Sequence, residues 1–406
     1  MANIDDSAAT AQPAPAAPEA LPSTLLLTII SIATGALVAD LYYAQPLIAS
    51  IGPELGIRPD LAGTLVSVTQ IGYGLGLFLL VSLADLVENK RLVLTALCVT
   101  FVALIGAATS ASAALFFVAA LVIGLSSTGA QILVPFAASL VPEPQRGRTV
   151  GNVMAGLLTG ILLARPLSLF ISAGLGWRAV FWLSAVLMVV IGGLLWWMMP
   201  KRQPKGGVSY GQILASMAGL VRSTPVLRRR AIYQALMFGA FNVFWTAAPV
   251  MLAERFGLNQ TGIALFALAG AGGALSAPIA GRLADRGLSR LSTVAAMAVL
   301  AVCFFATGWA AAAGALILLA ILAIMIDGAV QVNQIIGQRI IFSLPAEVRG
   351  RVNAIYMTTS FFGGAVGSTA ATASYHWGGW TATSVVGGVL GVAALIFFAT
   401  EPRDKG

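Results

Sequence analysis

Apolar residues gather along this chain in twelve stretches, each near the ~20 residues that cross a hydrocarbon core as a helix. They lie at 24–49, 61–82, 92–110, 113–140, 149–173 and 177–199, then at 231–254, 261–283, 291–310, 313–342, 351–375 and 380–399. Most breaks between them are short and polar. The break at 200–230 is long and basic, and it divides the stretches into six and six. The pattern predicts an all-α polytopic membrane protein of two six-helix bundles, 23–199 and 231–400. A linker at 200–230 joins them, with tails at 1–22 and 401–406. The first tail is Ala/Pro-rich with Asp5, Asp6 and Glu19 and no Lys or Arg. It lacks the basic start of a signal peptide and reads as a disordered tail.

Composition supports lipid as the solvent. The chain is 58% hydrophobic and 9% charged, with a mean hydropathy of +0.91, whereas soluble domains are about 25% charged. The net charge of +8 is spread as topology. Nineteen Lys and Arg fall in the loops on the N-terminal side, against Arg58, Arg178 and Arg255 on the other. That asymmetry places both termini in the cytoplasm. No soluble domain is large enough to carry a nucleic-acid surface. Cys98 and Cys303 sit alone in apolar runs and imply no disulfide or metal site. His376, the single histidine, reads as an interfacial residue. No Walker A, zinc or nucleophile-elbow motif occurs, so an enzyme, a cofactor and a metal are not expected.

The halves repeat one another. Leu83-Ala84-Asp85 returns as Leu283-Ala284-Asp285, Arg146-Gly147-Arg148 as Arg349-Gly350-Arg351, and Gly176-Trp177 as Gly379-Trp380. Each pair is separated by 200 to 203 positions, a single register. Two like-oriented halves imply an axis along the membrane normal and a cavity between them.

Six plus six spans, a basic central linker and Leu-Ala-Asp after the second span resemble the major facilitator superfamily, from about Thr24 to Thr400. The string Asp40-Leu41-Tyr42-Tyr43-Ala44-Gln45-Pro46 looks like the drug, sugar and nucleoside efflux branch of bacterial proton antiporters. The resemblance implies the bacterial cytoplasmic (inner) membrane, a monomer, and rocking of two pseudo-symmetric bundles about a central site. It also implies a latch role for the repeated loop motif. Asp85 would dock at the start of the eleventh span near Arg349 and Arg351, with Arg91 close by. Asp285 and Arg286 would sit near Arg146 and Arg148 at the start of the fifth. The first copy is degraded, with Val81, Leu86, Glu88 and Asn89 in place of the usual Gly and Arg residues. Gly151, Gly156, Gly160 and Arg165-Pro166 resemble part of the antiporter motif of the fifth span. Ala120 stands where that branch often has an arginine.

Three ionised side chains lie well inside spans: Asp40, Arg165 and Asp327. A charge there costs about 2.5–3.5 kcal/mol on insertion scales and faces a bundle interior or a water-filled cavity. A buried carboxylate can pick up and release a proton as access alternates, so Asp40 and Asp327 are the proton-coupling candidates. Structural ion pairing is the plainer alternative. Arg165 could bind an anion, pair with Asp40, or help expel the proton. Asp327, Gln331, Gln334 and Gln338 recur at helical spacing on the tenth span, and amides avoid lipid. Gln131 on the fourth span, Tyr43 on the first, and Gln234, Phe238, Phe241, Asn242 and Trp245 on the seventh complete the expected cavity wall. The resemblance assigns that cavity to these four spans. Its chemistry suits a neutral or weakly cationic small organic solute. The reading is proton-coupled efflux of a drug-like, sugar or nucleoside solute. Proton-coupled uptake is the alternative, and a non-transporting membrane sensor the remaining one.

Overall fold

A computed structural model describes residues 23–202, 209–270, 272–273, 276–345 and 348–401. The expected tail at 1–22, part of the linker at 203–208, and 402–406 lie outside the described residues. Regular structure among the described residues is helical. In chain order the helices are α1 Thr24–Ala39, α2 Ile48–Glu54, α3 Thr64–Leu79, α4 Asn89–Ala108, α5 Ala113–Ser127, α6 Gly129–Ser139, α7 Glu143–Leu175 and α8 Trp177–Met198. They continue as α9 Tyr210–Ser223, α10 Pro225–Phe256, α11 Gln260–Gly270, α12 Ser276–Asp285, α13 Ser289–Ala312, α14 Leu316–Phe342 and α15 Arg349–Ala399.

Nine helices among the described residues are long and apolar enough to cross a membrane. The difference from the twelve predicted stretches arises in three places. At 24–49 the helix stops at Ala39. Residues 41, 42, 45 and 47 then bond three positions back rather than four, ahead of the short helix α2. Pro46 has no N–H to donate and restricts Gln45 before it, so the α-helix cannot run through. At 261–283 the chain forms α11 and α12, two short helices on either side of a stretch that holds Gly272 and Gly273. The last two stretches share one 51-residue helix, Arg349–Ala399, which breaks at Gly378–Gly379. Gly379 has φ +61°, in the left-handed region that favours glycine.

The halves pack alike. Gly35 of α1 lies on Gly156 and Gly160 of α7, so close that a Cβ at Gly35 or Gly160 would strike the partner's backbone. Gly239 of α10 lies on Gly363 and Gly367 of α15 in the same way. Side chains smaller than any other allow this approach, and dispersion rather than water exclusion then holds the helices together. Trp177 packs edge-on against Phe116 and Phe181, and its counterpart Trp380 packs against Phe244. Outward faces are apolar. Val302, Ile317, Val366 and Trp197 are each exposed by more than 60%, as a lipid-facing surface requires.

The two halves meet along α3 and α15. Ser67 Oγ donates to Ala365 O at 2.6 Å, Thr358 Oγ1 to Gly74 O at 2.9 Å, and Gly63 N to Thr372 Oγ1 at 3.0 Å. At the face that bears the linker, α9 begins with a capping box in which Ser209 and Gln212 satisfy each other's free donors. Its Ile213 and Met217 are buried against Leu227, Ile341, Val352 and Ile355. Tyr210 Oη donates to Leu79 O at 3.0 Å in one half, and Arg351 Nη1 donates to Ser216 Oγ at 3.1 Å from the other.

Candidate functional site

A cavity of ≈ 280 Å³ lies between the halves. The four-residue stripe of α14 faces it as the spacing predicts: Asp327, Gln331, Gln334 and Gln338 all line it. Gln131, Gln234, Phe238, Phe241 and Arg165 line it too, with Tyr42, Tyr73, Asn353 and Phe361. Asp327 sits near the middle of α14. Gln338 is about one turn from its end, and Asn353 about one turn from the start of α15. The cavity thus runs from mid-depth toward the linker face.

Aromatic rings and amides make its walls. Phe238 and Phe241 stack with centroids 5.4 Å apart, and Phe361 bridges Phe238 to Tyr73. Gln131 Nε2 donates to Tyr73 Oη at 3.1 Å. Asn333 Nδ2 donates to Gln234 Oε1 at 2.7 Å and fixes that amide, while Gln338 reaches Asn353 at 3.4 Å. Gln331 has no protein hydrogen-bond partner among the described residues.

The charged groups sit at the deep end. Arg165 of α7 is buried, with its guanidinium carbon 4.9 Å from the Tyr42 and Trp245 ring centroids and 5.0 Å from that of Phe241. Its Nε donates to Gln45 Oε1 at 2.9 Å. Nη2 is buried without a hydrogen-bond partner, and no carboxylate lies within ion-pairing distance among the described residues. Trp245 Nε1 donates to Asp327 Oδ1 at 2.7 Å, so the indole stands between cation and carboxylate. Gly270 and Gly273 make room: a Cβ on Gly270 would meet Trp245, and one on Gly273 would meet Asp327.

Beyond Arg165 the cavity is closed by a layer of amides and hydroxyls. Asn242 Oδ1 accepts from Gln70 Nε2 at 2.5 Å and from Gln45 Nε2 at 3.2 Å, both from the other half of the chain. Gln45 also donates to Thr246, and Thr246 to Ser368. Asn242, expected in the cavity wall, is instead the centre of this seal. Trp245 likewise does not line the main cavity but backs its charged end.

The first-span residues divide differently from the prediction. Asp40 does not line the cavity. It is buried within its own half, where Ser184 Oγ of α8 donates to its Oδ1 at 2.5 Å, and Oδ2 has no partner. Tyr43 does not line the cavity either, and Tyr42 takes that place. Placing Tyr43 on the face of Asp40 assumes a continuous helix through Asp40, and α1 has ended there. Tyr42, Gln45, Gln70, Tyr73 and Asn333 were passed over by sequence reasoning. Tyr42 and Gln45 stand in the same string as Asp40, and the proline after them signals the break.

Of the loop residues, Asp285 pairs with Arg339 of α14 in its own half at 2.5 Å. Arg146, Arg148 and Arg286 are exposed. Arg349 Nε donates to Leu344 O at 3.4 Å, and Arg91 pairs with Glu88 at 3.2 Å. The Asp85 side chain lies outside the described residues. Three or more metal-ligating side chains do not cluster anywhere among the described residues.

The family profile described as Major Facilitator Superfamily matches residues 30–367. The chain belongs to that superfamily. As a facilitator it is a multi-pass membrane protein and a secondary active transporter of small organic solutes, not an enzyme. It is 36% identical over 375 residues to the "putative uncharacterized transporter YgaY" of Escherichia coli strain K12, covering 92% of this chain and 95% of that one. It is 28% identical to a chloramphenicol resistance protein of Streptomyces lividans, over 71% of this chain and 72% of that one. Among solved facilitators, the D-xylose–proton symporter superposes with a TM-score of 0.74 at 18% identity, over 94% of this chain and 98% of that one.

Proposed function

We propose that this facilitator is a proton-linked carrier of a small organic solute with an aromatic or apolar body, working by alternating access. The observation that carries the reading is Asp327 and Arg165 at the deep end of a cavity between the halves, closed on one side by the Asn242 layer. Asp327 is the proton-bearing group in contact with the solute space. Asp40, buried within its own half against Ser184, is a second proton site.

Twelve spans arranged as six plus six complete the proposal, with domains at 23–199 and 231–400. The segment 24–49 and the α11–α12 pair each form one span, and α15 forms two. Basic residues on the linker face support a cytoplasmic side for that face and both termini, in a bacterial inner membrane. The cavity then opens inward. The loop arginines and Asp85 serve as a latch in the opposite state.

Direction has two readings. Uptake by symport is favoured by the fold shared with the D-xylose–proton symporter. Export by antiport is kept by the chloramphenicol resistance relative. Both use one geometry, since alternating access runs with the gradients. The test is transport in energised cells and proteoliposomes across pentoses, nucleosides and chloramphenicol. Symport raises solute accumulation and draws protons in with the solute, whereas antiport lowers accumulation. Asp327→Asn should abolish uphill transport in either direction while leaving solute exchange down its own gradient. Full uphill transport in that variant would refute the assignment.

A further inference from the structure

Arg165 is a buried cation without a counter-ion in contact. Its Nε is the only nitrogen with a protein hydrogen bond among the described residues, and that partner is the neutral Gln45 amide. Three rings surround the guanidinium. They stabilise its charge but offer no hydrogen-bond acceptor to match Nη2. The compensating charge is Asp327, held apart by the Trp245 indole. Both groups line the same cavity.

We propose that the solute is an organic anion, an apolar or aromatic body bearing one carboxylate- or sulfonate-type group, which binds Arg165 when Asp327 carries a proton. This rests on the proton-linked carrier reading above and gives it a charge rule. With Asp327 ionised, the deep end holds one positive and one negative charge and is balanced. Protonating Asp327 leaves the guanidinium uncompensated in a low-dielectric site, and an anion restores the balance. Proton and anion therefore favour each other's binding, and by linkage the effect is reciprocal. One proton and one monovalent anion then cross together as a neutral load. The bidentate fork of a guanidinium suits a planar carboxylate or a sulfonate face. Phe238 and Phe241, stacked on the same wall, take the ring.

The groups facing Asp327 are few. α10 brings Trp245, the α11 end and residue 273 bring Gly270 and Gly273, and α7 brings Arg165. Tyr42 and Tyr73 add phenols to the same cavity. His376 lines a separate groove on the opposite face.

The test is thermal stabilisation of the purified full chain by benzenesulfonate, benzenesulfonamide and benzylammonium, a matched anion, neutral and cation series. Benzenesulfonate stays ionised between pH 6 and 8, so any pH effect belongs to the protein. Its affinity should exceed that of both analogues and rise at least about fivefold from pH 8 to pH 6, the lower end of ordinary site-to-site coupling. Asp327→Asn should bind at pH 8 as tightly as the unaltered protein does at pH 6. Arg165→Gln should lose the anion preference. Arg165→Lys, which keeps the charge, should retain the preference more weakly and guards against misfolding of the glutamine variant. Equal or better binding of the amine or the sulfonamide, or an undiminished pH effect in Asp327→Asn, overturns the proposal. If uncharged solutes are carried with protons while benzenesulfonate fails to bind, this inference falls and the carrier reading stands. If benzenesulfonate binds in the expected pattern but proteoliposomes move no solute with protons, the carrier reading falls instead.

Discussion

Asn242 gives the sharpest test of the seal. Its side-chain oxygen accepts from Gln45 and Gln70 across the boundary between halves, and its Nδ2 donates to Phe238 O within its own helix. Replacing it with leucine keeps the volume and removes the acceptor. Each hydrogen bond contributes about 0.5–1.5 kcal/mol net, so losing two inter-half bonds costs the closed arrangement roughly 1–3 kcal/mol. That shifts the balance between sealed and open forms by about 5- to 150-fold. Water can reach the Gln45 and Gln70 amides only when the seal parts, which pushes in the same direction. Spin labels at Ala49 and Glu254, one from each half beside the outer groove, would report the separation. The expected result for Asn242→Leu is a new long-distance population at the expense of the short one. An unchanged distance distribution, in protein that still folds and binds detergent-stable, would mean that α3–α15 packing alone holds the face shut.

Two further outcomes follow from contacts elsewhere. Gly160→Val should lower the melting temperature by forcing α1 off α7, at the roughly 1–3 kcal/mol typical of overpacking. Gly174→Val on the same helix, where a Cβ meets nothing, should change it far less, and equal losses would refute the close-approach reading. Glu54, at the end of α2, accepts from Trp177 Nε1 at 2.5 Å and pairs with Arg178, and these contacts hold its carboxylate below the usual range. The contact therefore stabilises fully above about pH 4.3, the unfolded value, and is lost as pH falls through the lowered folded value. Glu54→Gln should flatten the acid-side fall in melting temperature between pH 5 and 3, by a small amount because the pair is half exposed; an undiminished fall would show that other carboxylates carry it.

How much of this was legible depended on backbone regularity. The stripe from Asp327 to Gln338 lines one cavity because α14 is an unbroken helix, where spacing alone fixes the face. Gln234, Phe238 and Phe241 were legible on α10 for the same reason. Around Asp40 the rule failed, since α1 ends at Ala39 and the next residues turn on tighter bonds. Tyr43 then points into its own half and Tyr42 into the cavity. Asn242 is buried at the seam and not on the cavity wall; periodicity gives only a direction and not a depth, so it does not separate wall from seal. Arg339, one of the nineteen basic loop residues, shows in the sequence only as a topological charge. Its pairing with Asp285 depends on where α12 ends against α14, which no spacing in the chain reveals.

The helix of the linker has a mechanical consequence. α9 is tied through Tyr210 to the end of α3 and through Ser216 to the start of α15, so it spans the seam like a splint on one flank. Two rigid bodies splinted on one side cannot part evenly at that face. They pivot about the splint, and the gap widens on the far flank, where Met154 and Leu158 of α7 border the cavity. The route for solute at the linker face is thus a one-sided mouth. The linker sets its axis of swing, acting as a working part of the machine and not as slack chain between two halves.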